Sequence, residues 1–214
     1  MSLPNPSKIV CVGRNYVAHA EELNNPLPTR PLLFMKPPSA ISYLPDVVIP
    51  SDQGECQHEI ELAVYIGQPL RKVTTEQAQQ AIVGYGVALD LTLRQVQSEL
   101  KAAGQPWERA KAFDGSCVLG PLVSLNELEN GGDFTIQLEV NDQTRQVGHS
   151  HQMIFAIDDL LADISQQFTL QPGDIVLTGT PAGVASLALN DQLTLHLSQG
   201  DKHWQWHGSV RCEA

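Results

Sequence analysis

Two carboxylates spaced for joint work stand in His58-Glu59-Ile60-Glu61-Leu62. On a strand, positions i and i+2 leave the same face, so Glu59 and Glu61 point together. Ile60, Leu62, Val64 and Ile66 would line the opposite, apolar face. Two like charges at that spacing repel unless they are solvated, protonated or bridged by a cation. A solvated strand face is one reading. A site for a hard divalent ion such as Mg²⁺ or Mn²⁺, which takes oxygen ligands, is the other. Asp90 tips the balance towards the ion, because it ends the apolar run Val87-Ala88-Leu89 and offers a third carboxylate. It is also placed to cap the helix that follows, and the two roles are compatible because a carboxylate has two oxygens. His58 is expected on the wrong face to join them.

His19 and Glu22 lie three apart on a short predicted helix, where they can touch. A histidine oriented by a carboxylate is a general base or a water activator; the plain alternative is a surface polar pair. Lys111 could hold an anionic substrate or be a solvated lysine. Gly179-Thr180-Pro181-Ala182-Gly183-Val184 follows a predicted strand and lacks the Gly-Lys-Ser/Thr of a phosphate-binding loop. It reads as a turn, or as a loop whose backbone and hydroxyl contact substrate. His149-Ser150-His151 would present both imidazoles on one strand face, but no carboxylate or cysteine partner is indicated for a metal. Cys11, Cys56, Cys117 and Cys212 are scattered, with no paired spacing, and read as idle thiols.

The elements that must position these residues are mostly strands. Ile9 to Val12 is a short apolar run ending at Gly13. Asn15 to Leu23 has helical composition and is stopped by Asn24-Asn25-Pro26. Leu32 to Met35 is a further apolar run in a segment whose prolines exclude a long helix. Thr75 can cap a helix that fails before Gly84, after which Val87 to Leu89 is strand-like. Leu93 to Ala103 and Met153 to Phe168 carry helical periods. Phe134 to Val140 alternates and meets a turn at Asn141-Asp142. Asp174 to Leu177, Gln192 to Leu197 and Trp204 to Val210 complete a strand-rich α+β pattern. Strands and helices do not alternate regularly, which disfavours a doubly wound sheet. No linker stands out, so residues 1–214 read as one domain.

Composition narrows the function. Thirteen Lys and Arg against 24 Asp and Glu give a net charge of −11. That excludes a phosphate-backbone binder, which needs a basic face, and disfavours anionic membranes. It leaves room for an acidic small molecule, because a metal or a few local cations can reverse the field at one site. No apolar run approaches the ~20 residues of a membrane-spanning helix. The first residues lack the charged and apolar regions of a signal peptide, so the cytoplasm is the expected compartment. A non-catalytic acidic interaction module is the reading of a different class.

Taken in order, these motifs resemble the fumarylacetoacetate hydrolase family, in its compact acylpyruvate-hydrolase-like form. The residues carrying the resemblance are Val12-Gly13-Arg14-Asn15-Tyr16 with His19 and Glu22, then Phe34-Met35-Lys36-Pro37 and His58-Glu59-Ile60-Glu61-Leu62. Ala88-Leu89-Asp90 with Arg94 and Gln97 follows, then Ala110-Lys111-Ala112-Phe113, Gln146 with Met153-Ile154-Phe155, and Leu177-Thr178 running into the glycine-rich loop. Each is weak alone; the ordered set spans nearly the whole chain.

The resemblance implies a mixed β-sandwich roll with peripheral helices, as a homodimer. It implies Mg²⁺ (or Mn²⁺) held by Glu59, Glu61 and Asp90, chelating the 2-keto acid end of a small substrate. Arg14, Arg94, Gln97, Gln146 and Thr180 match substrate-binding positions. Lys111 would add positive charge, and His19 with Glu22 would form a catalytic dyad on a lid of about residues 14–26. The expected reaction is hydrolysis of the C–C bond of acylpyruvates (2,4-diketo acids) to pyruvate and a carboxylic acid. The same metal-enolate site would also suit an oxaloacetate keto–enol tautomerase or decarboxylase, or an isomerase of dienoic acids.

Overall fold

The structure is a computed structural model that describes residues 3–22, 26–129 and 131–212. The chain enters through β1 (Ile9–Gly13), buried from Ile9 to Val12, and turns at Arg14 towards the short helix α1 (Val17–Glu22). Prolines keep the next stretch extended and interrupted. It forms β2 (Leu32–Lys36), β3 (Ile41–Tyr43) and β4 (Asp46–Ile49). Then come β5 (Cys56–His58), β6 (Ile60–Ile66) and α2 (Thr75–Gln80). The long β7 (Ile82–Asp90) and β8 (Thr92–Leu93) lead into α3 (Arg94–Ala102) and the single turn α4 (Glu108–Lys111). After β9 (Cys117–Leu119) and β10 (Val123–Ser124), β11 (Phe134–Val140) and β12 (Gln143–His149) make a hairpin. Its turn residues Asn141 and Asp142 have φ of 52° and 60°. That is the left-handed pair a two-residue hairpin turn requires, and Asn and Asp tolerate it. The chain ends with α5 (Ile157–Gln167), β13 (Ile175–Leu177), β14 (Ala185–Ser186), β15 (Gln192–Gln199) and β16 (Lys202–Cys212).

These strands form an eight-stranded mixed sheet, a five-stranded sheet and a small three-stranded sheet of β14, β5 and β8. The large sheet runs β2-β1-β13-β6-β7-β9-β3, with β10 also on β7. β6 is buried at all seven positions. Ile60 and Leu62 pack against the five-stranded sheet through Ile136, Leu138 and Leu195. Val64 and Ile66, on the same face farther along, pack under α2 and α5 with Leu160, Leu161 and Ile164. The other face of β6 meets Cys11, Ala88, Cys117 and Leu177. Each fully buried Val, Ile or Leu is worth about 1.5–3 kcal/mol relative to exposure. That burial makes β6 and β7 the rigid centre of the molecule.

The strand-rich α+β class holds. Four local expectations are corrected. The cap of α2 is Thr74, not Thr75: Thr74 and Gln77 make a reciprocal capping box. The predicted helix Met153–Phe168 begins only at Ile157, because Met153 bridges Tyr16 and Ser150–Gln152 forms a tighter turn. Asp90 caps nothing; it ends β7, and Leu93 precedes α3. Both faces of β6 are covered, so no solvated carboxylate face exists there. The predicted helix stop at Leu23–Asn25 lies outside the described residues.

Candidate active site

Glu59 lies between β5 and β6, directly across from the end of β7: the Asp90 amide donates to the Glu59 carbonyl at 2.9 Å. Glu61 follows two residues later and pairs with Ala88. Antiparallel register thus places Asp90 beside Glu59 on the face that also carries Glu61. The three carboxylates offer oxygens that all lie within 4.8 Å of one another, and all three residues are buried. Each has a supporting contact that fixes its direction. Glu61 Oε2 accepts the Gly179 amide at 2.6 Å, and Arg94 pairs with Glu59 Oε1.

Two buried lysines close on this triad. Lys111 Nζ donates to Glu59 Oε2 and Asp90 Oδ2, each at 2.7 Å, and to Thr92 Oγ1 at 2.6 Å. Lys36, fully buried at the end of β2, stands 2.8 Å from Asp90 Oδ1 and donates to the Lys111 carbonyl and to Ser116 Oγ. Its approach to Asp90 Oδ1 is close enough for an ion pair but off the direction of a hydrogen bond, so that buried oxygen keeps a lone pair unclaimed. Burial opposes ionisation of Glu59, but the Lys111 ammonium and Arg94 guanidinium overcome it and hold its carboxyl well below the usual range. Burial opposes charge on Lys111 too, yet Asp90 and Glu59 keep it firmly protonated. Glu61 has no such cation of its own. Burial, then the negative charges of Asp90 and Glu59, push its carboxyl well above the ordinary range. An all-oxygen donor set with an unclaimed lone pair and one under-compensated carboxylate fits a hard divalent cation.

The remaining walls come from three segments. The loop after β13 contributes Thr180, whose hydroxyl donates to the Ile60 carbonyl at 2.8 Å and accepts from Gln146 Nε2 at 2.9 Å. From α3 come Arg94, Gln97 and Lys101, and beside them Trp107. From the β1 end come Arg14 and His19. His19 is buried, and its Nδ1 lies 3.2 Å from Glu22 Oε2, so Nε2 is the nitrogen left for the cleft. Glu22 Oε1 in turn accepts the Gly183 amide at 3.1 Å, which ties α1 to the loop after β13. The cavity between these residues has a volume of about 30 Å³, room for about one or two water molecules.

The predicted residues Arg14, His19, Glu59, Glu61, Asp90, Arg94, Gln97, Lys111 and Thr180 thus line one cleft, with Glu22 immediately behind His19. Gln146 does not line it. It is buried behind Thr180, accepting from the Ile60 amide and His58 Nδ1 while donating to Thr180 and Pro181. It positions the loop rather than touching the cleft. His58 is turned away, as expected, and burial lowers its pKa. Two cations were missed as site residues, Lys36 and Lys101. Lys36 falls inside a quoted motif, yet nothing in its spacing says that an apolar strand ends on a fully buried ammonium. Lys101 follows Gln97 by four on α3, which a helical projection from Arg94 would have found. The pair His149 and His151 is corrected too. β12 ends at His149 and His151 sits in a separate turn; Asp133 pairs with His151 Nδ1, and Thr135 Oγ1 with His149 Nδ1 at 2.9 Å.

Residues 8–208 match a family model described as fumarylacetoacetate (FAA) hydrolase, C-terminal. The chain is 50% identical over 191 residues to oxaloacetate tautomerase YcgM of Escherichia coli (strain K12), covering 88% of this chain and 87% of that protein. It is 40% identical over 188 residues to the mitochondrial oxaloacetate tautomerase FAHD1 of Bos taurus, covering 86% and 84%. Among solved structures it resembles fumarylpyruvate hydrolase from Pseudomonas aeruginosa in complex with Mn²⁺ and pyruvate. That likeness has a TM-score of 0.91 and 33% identity, covering all of this chain and 92% of the other.

Proposed function

The chain belongs to the fumarylacetoacetate hydrolase family, and from that premise we propose that it is a divalent-metal-dependent oxaloacetate keto–enol tautomerase. The observation that carries this is the convergence of three buried carboxylates and two buried lysines on one small cleft. The choice of tautomerisation over acylpyruvate hydrolysis leans on the names of the relatives at 40–50% identity. Charge supports the same substrate. Lys36, Lys111 and Arg94 pair with Glu59 and Asp90 and equal the three carboxylates in number, so a bound divalent cation would leave the site positive and suited to a dianion.

Glu59, Glu61 and Asp90 would hold the cation, which when bound supplies Lewis-acid stabilisation of the developing enolate oxygen. Lys111 places a fixed positive charge at the same end of the substrate in a water-poor setting, where such charge acts strongly. His19 Nε2 takes the proton from C3, the C–H electron pair becomes the C2=C3 bond, the C2=O π pair moves onto the 2-oxygen, and that oxygen receives the proton back from the His19 imidazolium. Glu22, on Nδ1, stabilises the transient imidazolium and fixes the ring's orientation.

The test supplies enol-oxaloacetate with Mg²⁺ and follows both the enol absorbance and the products by NMR, with acetylpyruvate in parallel. The expected result is faster keto–enol equilibration without pyruvate, slowed about 10²–10⁴-fold in His19→Ala with metal binding kept. Acetate plus pyruvate from acetylpyruvate, or pyruvate from oxaloacetate, would replace tautomerisation with hydrolysis or decarboxylation.

A further inference from the structure

The outer face of the five-stranded sheet carries a pair of histidines that the proposed reaction does not use. Along β15, Leu193, Leu195 and Leu197 enter the core, so the alternate residues Thr194, His196 and Ser198 point away from it. Trp204 and Trp206 of β16 pack on the same core, which leaves His203, Gln205 and His207 outward. Register sets His196 opposite Gln205. His203 and His207 are therefore its two diagonal neighbours, within reach of long side chains.

His196 Nδ1 faces His203 Nε2 at 3.4 Å. That is beyond the roughly 2.7–3.2 Å of ordinary N–H hydrogen bonds. It matches the ~3.3–3.4 Å between two nitrogens that share one tetrahedral Zn²⁺ at about 2.0–2.1 Å each. The other ring nitrogen of His196 favours one tautomer. Nε2 is buried, has no hydrogen-bond partner among the described residues, and lies 3.6 Å from Glu139 Oε1. Gln137 Nε2 holds that oxygen at 2.8 Å. A ring proton on Nε2, towards the carboxylate, leaves the Nδ1 lone pair free and aimed at His203. A carboxylate behind a ligating imidazole orients a metal-bound histidine in this way. His207 stands apart from the pair: its Nδ1 lies 3.3 Å from Thr194 Oγ1 and its Nε2 3.3 Å from Gln205 Nε2.

We infer that His196 and His203 clamp a borderline divalent ion of the Zn²⁺ class across the β15–β16 hairpin, with Glu139 orienting the His196 ring. Imidazole nitrogens suit such ions, whereas the all-oxygen triad suits hard ones, so the two sites sort metals by ligand chemistry. His203 is exposed and the His196 side chain only 15% so, which leaves the remaining coordination positions to water on the open side. None of these residues lines the cleft, so the inference is independent of the tautomerase reading.

The test titrates Zn²⁺ calorimetrically into the full chain in a large excess of Mg²⁺, which competes for the carboxylate triad. A Zn²⁺ site is expected that survives in Glu61→Gln. In His203→Ala it should weaken by at least about tenfold, since losing a ligand costs no less than losing its support. Absence of Zn²⁺ binding overturns the site. So does an isotherm that is unchanged in a His203→Ala protein of native melting temperature, or one that is lost in Glu61→Gln, because either places the ion elsewhere. Ring ¹⁵N spectra of the metal-free protein test the role of Glu139. His196 should carry its proton on Nε2, and Glu139→Ala should shift it towards Nδ1 while weakening Zn²⁺ binding by about 10–100-fold. A tautomer and an affinity both untouched by Glu139→Ala would remove Glu139 from the site. No step of this test depends on what the cleft catalyses.

Discussion

Lys101 carries a pH signature that separates it from the deeper groups. Burial, then the positive charges of Arg94, Arg14 and Lys111, lower its pKa to about 8; Glu59 partly opposes them. The protonated form is the one that can hold a carboxylate. As pH rises through about 8 the free protein therefore loses that charge, and on the proposed tautomerase function kcat/KM for oxaloacetate is expected to fall. The profile of Lys101→Gln, measured from pH 6.5 to 9.5, should lack this limb; an identical limb in the variant would assign it to another group. Lys111 titrates too high to contribute in this window. These distinctions show what was legible at residue level. Glu59, Glu61 and Asp90 could be read from spacing because paired carboxylates at i and i+2 pose an electrostatic problem visible in one dimension. Lys36 and Lys101 could not, because an isolated lysine in a sequence is ordinarily solvated. Its burial depends on which strands and helices meet over it.

At the scale of elements, α1 reaches the cleft through few ties, and Asn15 is the chief one. Its amide nitrogen donates to the carbonyls of Phe155 and Thr178 at 3.1 and 2.8 Å, and its oxygen accepts the Phe155 amide at 2.8 Å. This fully buried side chain pins the β1–α1 corner to the loop after β13 and to the segment before α5. Asn15→Ala would leave buried backbone groups unpartnered, each costing about 1–3 kcal/mol. We expect urea unfolding to show a loss of at least about 2 kcal/mol. Because Arg14 and His19 ride on the same corner, kcat/KM should fall as well. Gly179 explains why the loop opposite tolerates no side chain. Its φ is +100°, and a Cβ there would meet the Asn15 Cβ at 2.7 Å. Gly179→Ala should therefore destabilise the protein as Asn15→Ala does and impair the same site; a Gly179→Ala protein with native melting and activity would show that the corner yields. The strands themselves were legible from period and apolar runs. The starts of α2 and α5 were missed because capping hydrogen bonds and the Tyr16–Met153 bridge decide them, and those arise from geometry beyond the local pattern.

The whole molecule converges on the triad. The large sheet supplies Glu61 and Asp90 from its central strands and Lys36 from its edge strand β2, Glu59 stands just before β6, and α4 supplies Lys111. Without a cation, this centre holds Glu61 beside two ionised carboxylates with no counter-charge of its own. A raised folded-state pKa means that Glu61 favours folding when protonated and opposes it once ionised, as pH rises through that folded value. Binding a divalent ion removes the repulsion and stabilises only the folded form. At a free concentration of about 100 times Kd, mass action contributes about 2.7 kcal/mol. For a chain of this length that is an upward shift of roughly 5–10 °C in Tm. Glu61→Gln keeps an acceptor for the Gly179 amide and removes the under-compensated charge. At pH 7.5 it should therefore melt at or above the metal-free wild type while losing the Mg²⁺ shift. Two results separate the ways this could fail. A full Mg²⁺ shift in Glu61→Gln would place the ion elsewhere. A metal-free variant melting well below the metal-free wild type would mean that Glu61 stabilises the folded centre without a cation, and that the three carboxylates are held for structure.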